Sequence, residues 1–250
     1  MLTKKRFEEI LRLLDEKGTV TLQELKESLG TSESTIRRDL TTLHNSGKLV
    51  KVFGGAISAN AHYRTRDIEV IDRKELNKEE KLKIARYSAN LIRQDDFVYL
   101  DAGTTTGYMI DFIQTKEATF VTNGVIHAQR LAAAGFHVIL IGGELKSSTE
   151  AVVGSEALLH LQRYHFTVGF WGTNGVNHTS GFSTPDNNEA MIKQIAMEQT
   201  RRAYVLCDHS KFGQISTVTF GDLRRAAIIT DRVDIQEYKN LENLIILDKQ

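Results

Sequence analysis

At Leu100 an apolar run gives way to Asp101-Ala102-Gly103-Thr104-Thr105-Thr106-Gly107, residues suited to capturing an anion. Gly103 permits close approach of the backbone. The amides and hydroxyls of Thr104, Thr105 and Thr106 would point at a negative group on a helix start, where the dipole favours it. The Gly-Lys-Ser/Thr ending of a Walker A loop is missing, and so is the G-x-G-x-x-G pattern of dinucleotide sites. This turn therefore favours a small phosphorylated ligand over a nucleotide. The plainer alternative is a capped helix start that binds nothing.

Four further apolar runs end in small or polar residues: Thr122-Asn123-Gly124, Gly142-Gly143-Glu144, Gly172-Thr173-Asn174-Gly175 and Asp208-His209-Ser210-Lys211. Open parallel sheets bind ligands beyond the carboxyl ends of their strands, so five such ends describe one lined crevice. Lys211 would pair with a ligand phosphate, or else only with Asp208. Glu189, just after Thr184-Pro185-Asp186-Asn187-Asn188, would accept from sugar hydroxyls, or else only favour a helix N-terminus. Trp171 reads as core or crevice wall.

Placing these ends together needs alternating elements. The pattern predicts helices at Lys78–Ile92, Tyr108–Ile113, Ile126–Ala133, Ser155–Leu161 and Asn188–Glu198. Between them fall apolar runs at Phe97–Leu100, Thr119–Val121, His137–Ile141, Thr167–Phe170, Ala203–Cys207, Ala226–Ile229 and Leu244–Leu247. Such alternation predicts a mostly parallel sheet covered by helices.

The first 58 residues have a different character and read as a DNA-binding winged helix-turn-helix. Leu2–Lys17 is a supporting helix with apolar positions at Phe7, Ile10, Leu11, Leu13 and Leu14. Thr21–Leu29 opens with a T-x-x-E capping box at Thr21 and Glu24, and Gly30 breaks it. The next helix opens at Thr31 or Ser32. Ile36, Leu40 and Leu43 face inward, while Ser34, Arg38, Thr41 and Asn45 share the opposite face, with Thr35 beside them and Arg37 at the edge. Those side chains suit base edges and phosphates. Asp39 lies nearer the inner edge and is expected to pair with a neighbouring donor. Beyond Gly47 a hairpin over Lys48–Ser58 forms the wing, with Lys48 and Lys51 available to phosphates. A helical docking or dimerisation module is the competing reading. Charge decides little: this segment carries ten Lys/Arg against eight Asp/Glu, and the whole chain is neutral, so a local basic face must do the electrostatic work.

Length allows the winged helix, a polar connecting segment at 59–75 and a full α/β unit at 76–250. No secretory or membrane-spanning stretch is expected, which predicts a soluble, cytoplasmic protein. The single cysteine, Cys207, excludes an internal disulfide and a multi-cysteine zinc cluster; it ends an apolar run and reads as core. The eight histidines show no metal-ligand spacing, and His160 and His165 read as structural or surface residues. No metal and no cofactor are expected.

Taken in order, STIRRDL with the downstream FGGA, EKLKIA at Glu80–Ala85, LDAGTTT at Leu100–Thr106, VTNG at Val121–Gly124, IGGE at Ile141–Glu144, GFST at Gly181–Thr184 and DHSKFG at Asp208–Gly213 resemble the DeoR family of bacterial sugar-metabolism repressors. The likeness runs along essentially the whole chain. It implies an α/β two-domain protein: an operator-binding winged helix-turn-helix, and a sensor domain similar to ribose-5-phosphate isomerase-type folds. It implies that Asp101, Thr104, Thr105, Thr106, Thr122, Asn123, Gly142, Gly143, Asp208 and Lys211 line an effector site, with Lys81 reaching the same crevice. Phe53 departs from the family pattern, standing where many relatives have histidine.

The resemblance implies a homodimer or homotetramer on double-stranded operator DNA, released by a phosphorylated sugar. Overall likeness leans to fructose 1-phosphate, with tagatose 6-phosphate next. Asn123, Asn174, Glu189 and Asp208 would then read the sugar. The competing reading is a sugar-phosphate isomerase fused to a DNA-binding domain. Aldose–ketose isomerisation needs a positioned base. The stretch Gly172–Val176 offers no carboxylate, and Asn174 cannot act as a base. Asp101 and Asp208 remain as carboxylates that could serve, so the isomerase stays the alternative; the expectation is a sensor and not an enzyme.

Overall fold

The apolar periodicity of the first segment becomes three helices around a small core. The structure is a computed structural model describing residues 3–17, 19–46, 48–52, 54–58 and 74–247. The chain divides into two compact units, Met1–Tyr63 and Arg64–Gln250. Gly47, Phe53 and residues 59–73 of the expected linker lie outside the described residues.

The first unit runs α1 (Thr3–Lys17), β1 (Thr19–Thr21), α2 (Leu22–Leu29), α3 (Glu33–Asn45), β2 (Leu49–Val52) and β3 (Gly55–Ser58). Thr21 caps α2 through the expected box: its hydroxyl accepts from the Glu24 amide at 3.1 Å, and Glu24 accepts from the Thr21 amide at 2.8 Å. Gly30 ends α2 at φ 58°, a conformation that glycine adopts without strain. Ser32 caps α3. Ile10, Leu14, Leu25, Ile36, Leu40 and Leu43 form the core. Asp39 is buried and accepts two hydrogen bonds from Arg6, at 2.7 and 3.1 Å, which tie α1 to α3. The wing hairpin β2–β3 is extended by β1, which pairs with β3. Sequence pattern missed β1 because three residues carry no periodicity.

The second unit begins with α4 (Lys78–Ala89), β4 (Phe97–Leu100), α5 (Thr104–Met109), β5 (Thr119–Thr122), α6 (Val125–Ala133) and β6 (His137–Leu140). A hairpin, β7 (Glu144–Lys146) and β8 (Ala151–Val153), precedes α7 (Ser155–Leu161) and β9 (Phe166–Gly172). Then come β10 (Gly175–Asn177), β11 (Gly181–Thr184), α8 (Asn187–Glu198), β12 (Thr200–Leu206), β13 (Val218–Gly221), β14 (Ala227–Thr230) and β15 (Leu244–Ile246).

The seven predicted apolar runs make one seven-stranded sheet, ordered β15-β14-β12-β9-β4-β5-β6 and parallel throughout. Both faces are covered. Val98, Leu100, Phe120, Val168 and Phe170 pack on one side against Ile84 and Ala85 of α4, Met109 of α5 and Leu131 of α6. Tyr99, Val121, Trp171, Val205 and Ile228 pack on the other against Leu161 of α7 and Ile192 and Ala196 of α8. A strand buried on both faces reads as an unbroken apolar run, which is why these were legible. The small sheet β10-β11-β13 closes the second face.

One helix departs from expectation. The segment predicted at Tyr108–Ile113 begins at Thr104. Thr106 folds back, its hydroxyl donating to the Asp101 carbonyl at 2.6 Å and accepting from the Gly103 amide at 3.0 Å, so helical geometry starts inside the turn.

Candidate functional site

Strand order sets the site. From β4 the chain winds outward through β5 to β6, then returns to β9 on the other side of β4 and winds the opposite way. The crevice beyond the carboxyl ends of β4 and β9 is therefore the switch point, where open α/β sheets hold ligands. An open cavity lies there. Its walls come from Asp101–Thr105 after β4, Asn123 after β5, Gly172–Asn174 at the end of β9, Leu206–Asp208 and Lys211 after β12, Leu76 and Lys81 at the start of α4, Thr149 and Ala151, and Glu189 and Lys193 of α8.

Ten expected effector residues meet around this cavity: Lys81, Asp101, Gly103, Thr104, Thr105, Asn123, Asn174, Glu189, Asp208 and Lys211. Four do not line it. Thr106 is committed to the turn described above. Thr122 is buried, its hydroxyl donating to the Leu100 carbonyl at 2.6 Å and accepting from the Gly124 amide at 3.0 Å. Gly142 and Gly143 follow the edge strand β6, two strands from the switch point. At Gly143 a Cβ would stand 2.6 Å from the Val153 carbonyl, so its glycine serves the approach of the chain to β8.

Polarity within the cavity is graded. The hydroxyls of Thr104 and Thr105 make no side-chain hydrogen bond among the described residues, and they stand with Lys81 and Lys211 in the wall. Lys193, absent from the sequence expectations, donates to Asp101 Oδ2 at 2.5 Å and to the Gly172 carbonyl at 3.1 Å. The Gly172 amide donates to the same Oδ2 at 3.0 Å. Asp101 Oδ1 has no partner among the described residues. Glu189 is buried and accepts through Oε1 from Thr149 at 2.5 Å and Lys146 at 3.0 Å; its Oε2 has no partner among the described residues. Asn174 accepts from the Thr184 hydroxyl at 3.3 Å through Oδ1, keeping its amide nitrogen for donation.

Asp208 is buried, which works to raise its pKa, yet Lys211, Ser210 and Asn77 outweigh burial and hold the carboxyl below its usual range. Asp208 Oδ1 accepts from Ser210 at 2.5 Å and from Asn77 at 2.8 Å. His127 sits behind the turn that follows β4, its Nε2 donating to the Gly103 carbonyl at 2.9 Å. Burial lowers its pKa to about 4, so the ring is neutral at pH 7.

A histidine-carboxylate group lies behind the Asp208 turn. Glu80, His209 and Asp231 bring ligand-type atoms within 4.8 Å of one another. Arg232 already fills the role of a cation there, at 2.8 Å from His209 Nε2 and 3.4 Å from Asp231. His209 Nδ1 and its amide both bind Asp231, at 2.9 and 2.8 Å, which braces the turn carrying Asp208 and Lys211.

In the winged helix, Ser34, Arg37, Arg38, Thr41 and Asn45 are all exposed on α3, with Thr35 half-buried and Lys48 and Lys51 exposed. Lys51 donates to the Thr41 hydroxyl at 2.8 Å, joining wing and helix in one polar face. Arg37 pairs with Glu33 at 2.6 Å in a solvated i,i+4 contact of small worth. Arg38 makes no side-chain bond among the described residues.

Comparison with known proteins gives two matching families. Residues 6–62 match the DeoR-like helix-turn-helix domain, and residues 76–232 match the DeoR C-terminal sensor domain. The chain is 41% identical to a Bacillus subtilis protein described as an uncharacterized HTH-type transcriptional regulator, FruR, over 99% of this chain and 98% of that one. It is 33% identical to the lactose phosphotransferase system repressor of Staphylococcus aureus, over 96% and 97% respectively. Among solved structures, ribose 5-phosphate isomerase A of Methanocaldococcus jannaschii aligns with a TM-score of 0.42 at 15% identity, covering 54% of this chain and 55% of that one.

Proposed function

Since the chain belongs to the DeoR family of transcriptional regulators, we propose that it represses a sugar-utilisation operon and that a phosphorylated sugar in the β4/β9 cavity governs its hold on operator DNA. The observation that carries the reading is the cavity's graded polarity. Unengaged Thr104 and Thr105 hydroxyls beside Lys81 and Lys211 suit a phosphate. Asp101 Oδ1, Glu189 Oε2 and the Asn174 amide suit sugar hydroxyls. Arg38, Ser34, Thr41, Asn45, Thr35 and Arg37 would meet the major groove, and Lys48 and Lys51 the backbone. Two or more copies acting together, as a dimer or tetramer, would present recognition helices to repeated half-sites. The protein works in the cytoplasm, where operator and sugar phosphate meet.

Fructose 1-phosphate is the preferred effector and tagatose 6-phosphate the second, on the overall likeness to FruR and to the lactose phosphotransferase system repressor. Thermal shift against sugar phosphates, with free sugars as controls, tests this. A ligand that binds only the folded state at about 100-fold its Kd adds roughly 2.7 kcal/mol of stability. Stabilisation by a phosphate and not by its free sugar is expected; no shift with any phosphate would remove the effector assignment.

One observation favours a second reading, an isomerase. Glu189 places a buried carboxylate in the cavity although Gly172–Val176 has none. Incubation of the protein with each sugar phosphate, followed by NMR, decides between sensing and turnover. The sensor reading expects no ketose–aldose conversion.

A further inference from the structure

Asn77 is one of two non-glycine residues with positive φ among the described residues, at φ 52° and ψ 44°. Asparagine tolerates this left-handed region better than most residues. Asn77 occupies the N-cap position of α4 but does not cap it. Its amide nitrogen instead donates across the fold to Asp208 Oδ1 at 2.8 Å and to Ser210 Oγ at 3.3 Å. The strained backbone is therefore matched to a long-range contact and not to its own helix.

What surrounds Asn77 gives the contact a use. Leu76, its neighbour, and Lys81, one turn further along α4, both line the cavity. The Lys74 carbonyl accepts from the Tyr108 hydroxyl of α5 at 3.0 Å. Segment 74–81 thus forms one wall of the cavity, and it follows directly in sequence on the chain that connects to the winged helix. Asp208 and Lys211 line the same cavity, and the Asn77–Asp208 bond joins their turn to this segment.

We infer that Asn77 is a positioning residue that couples occupancy of the cavity to the chain leading back to the winged helix. The inference rests on the effector reading above. A phosphate held by Lys81 and Lys211 places negative charge beside the buried Asp208 carboxylate. Like-charge repulsion and competition for Lys211 displace the Asp208 turn, and the Asn77 amide transmits that displacement to the backbone at the head of α4. Allosteric linkage requires two arrangements that a ligand distinguishes, and this hydrogen bond is the element whose geometry the ligand biases.

The test is Asn77→Gly in the full chain. Glycine keeps the left-handed backbone and removes the amide. The probe is the sugar phosphate that most changes wild-type operator affinity, chosen from fructose 1-phosphate, tagatose 6-phosphate and fructose 6-phosphate, with inorganic phosphate as control. The expected result is ligand affinity within about three-fold of wild type, with the ligand-induced change in operator Kd reduced at least about five-fold, the low end of ordinary coupling. Hydrogen exchange supplies a second readout: the ligand should alter protection of the first α4 turn in wild type and not in Asn77→Gly. Undiminished coupling in the variant overturns the inference and leaves the effector reading intact. Loss of ligand binding makes Asn77 a binding residue and also overturns it. If no sugar phosphate changes wild-type operator affinity, the effector reading falls and takes the inference with it.

Discussion

Arg38 stands exposed on α3 with no internal side-chain partner among the described residues, so DNA need not break a contact to engage it. Arg38→Ala should weaken operator binding by about 1–3 kcal/mol, the worth of one base-directed contact, while sugar-phosphate affinity stays unchanged. Fluorescence anisotropy and calorimetry on the same preparation check both. His127 gives a pH prediction. Its folded pKa lies near 4 because burial disfavours the charged ring, below the ordinary value of 6.5. As pH falls, the unfolded chain takes up the proton first, so stability is full above about pH 6.5 and declines as pH falls toward 4. Melting temperature followed from pH 7 to 4.5 should drop more steeply in wild type than in His127→Gln. Residues of this kind differ in how visible they are in sequence. Asp101, Thr104 and Lys211 sit in turns after apolar runs, and position alone marks them. Lys193 was missed because a lysine inside a helix ordinarily reads as a solvated charge. Its spacing of one turn from Glu189 was the available signal, since both then face the same side of α8.

At the scale of elements, the two-sided burial of the central strands made them plain in sequence, whereas β7, β8, β10, β11 and β13 are three or four residues long and sit among turn residues. The IGGE segment shows the consequence. Its glycines look like ligand-approach glycines, but Gly143, at φ 148°, lies against the Val153 carbonyl. Gly143→Ala should destabilise the sensor unit by about 1–3 kcal/mol through strain at a backbone that glycine alone tolerates well. Ligand affinity at temperatures where the variant is folded should not change, and denaturant melts paired with calorimetry separate the two effects. In the winged helix, the Arg6–Asp39 pair joins α1 to α3 while both side chains are largely buried. Arg6→Ala leaves Asp39 buried without its cation and should destabilise the winged helix, read as an earlier denaturant midpoint. Capping at Thr21 and the break at Gly30 were legible because each rests on one residue's local chemistry. The Asp39 partner was expected but not identified, since Arg6 lies 33 positions away.

For the whole molecule, the sequence carries a DNA-reading unit and a cavity-bearing unit whose net charges nearly cancel. Operator binding must then depend on the local face formed by α3 and the wing, and its affinity should fall steeply with salt as counterions are released. The strand order, which places the cavity at the β4/β9 switch point, follows from the long-range return of the chain after β6. No local pattern encodes that return, which is why Gly142 and Gly143 were grouped with a crevice they do not reach. In the proposed function, the cavity governs the DNA-reading unit through a phosphorylated sugar. The most direct test is operator affinity of the full chain, by anisotropy at fixed salt, with a panel of sugar phosphates and the matching free sugars. One phosphate is expected to shift operator Kd by about five-fold or more, its free sugar is expected to leave it unchanged, and Lys211→Ala is expected to blunt the shift while repression persists. Operator affinity indifferent to every phosphate, or equally responsive to the free sugar, would contradict it.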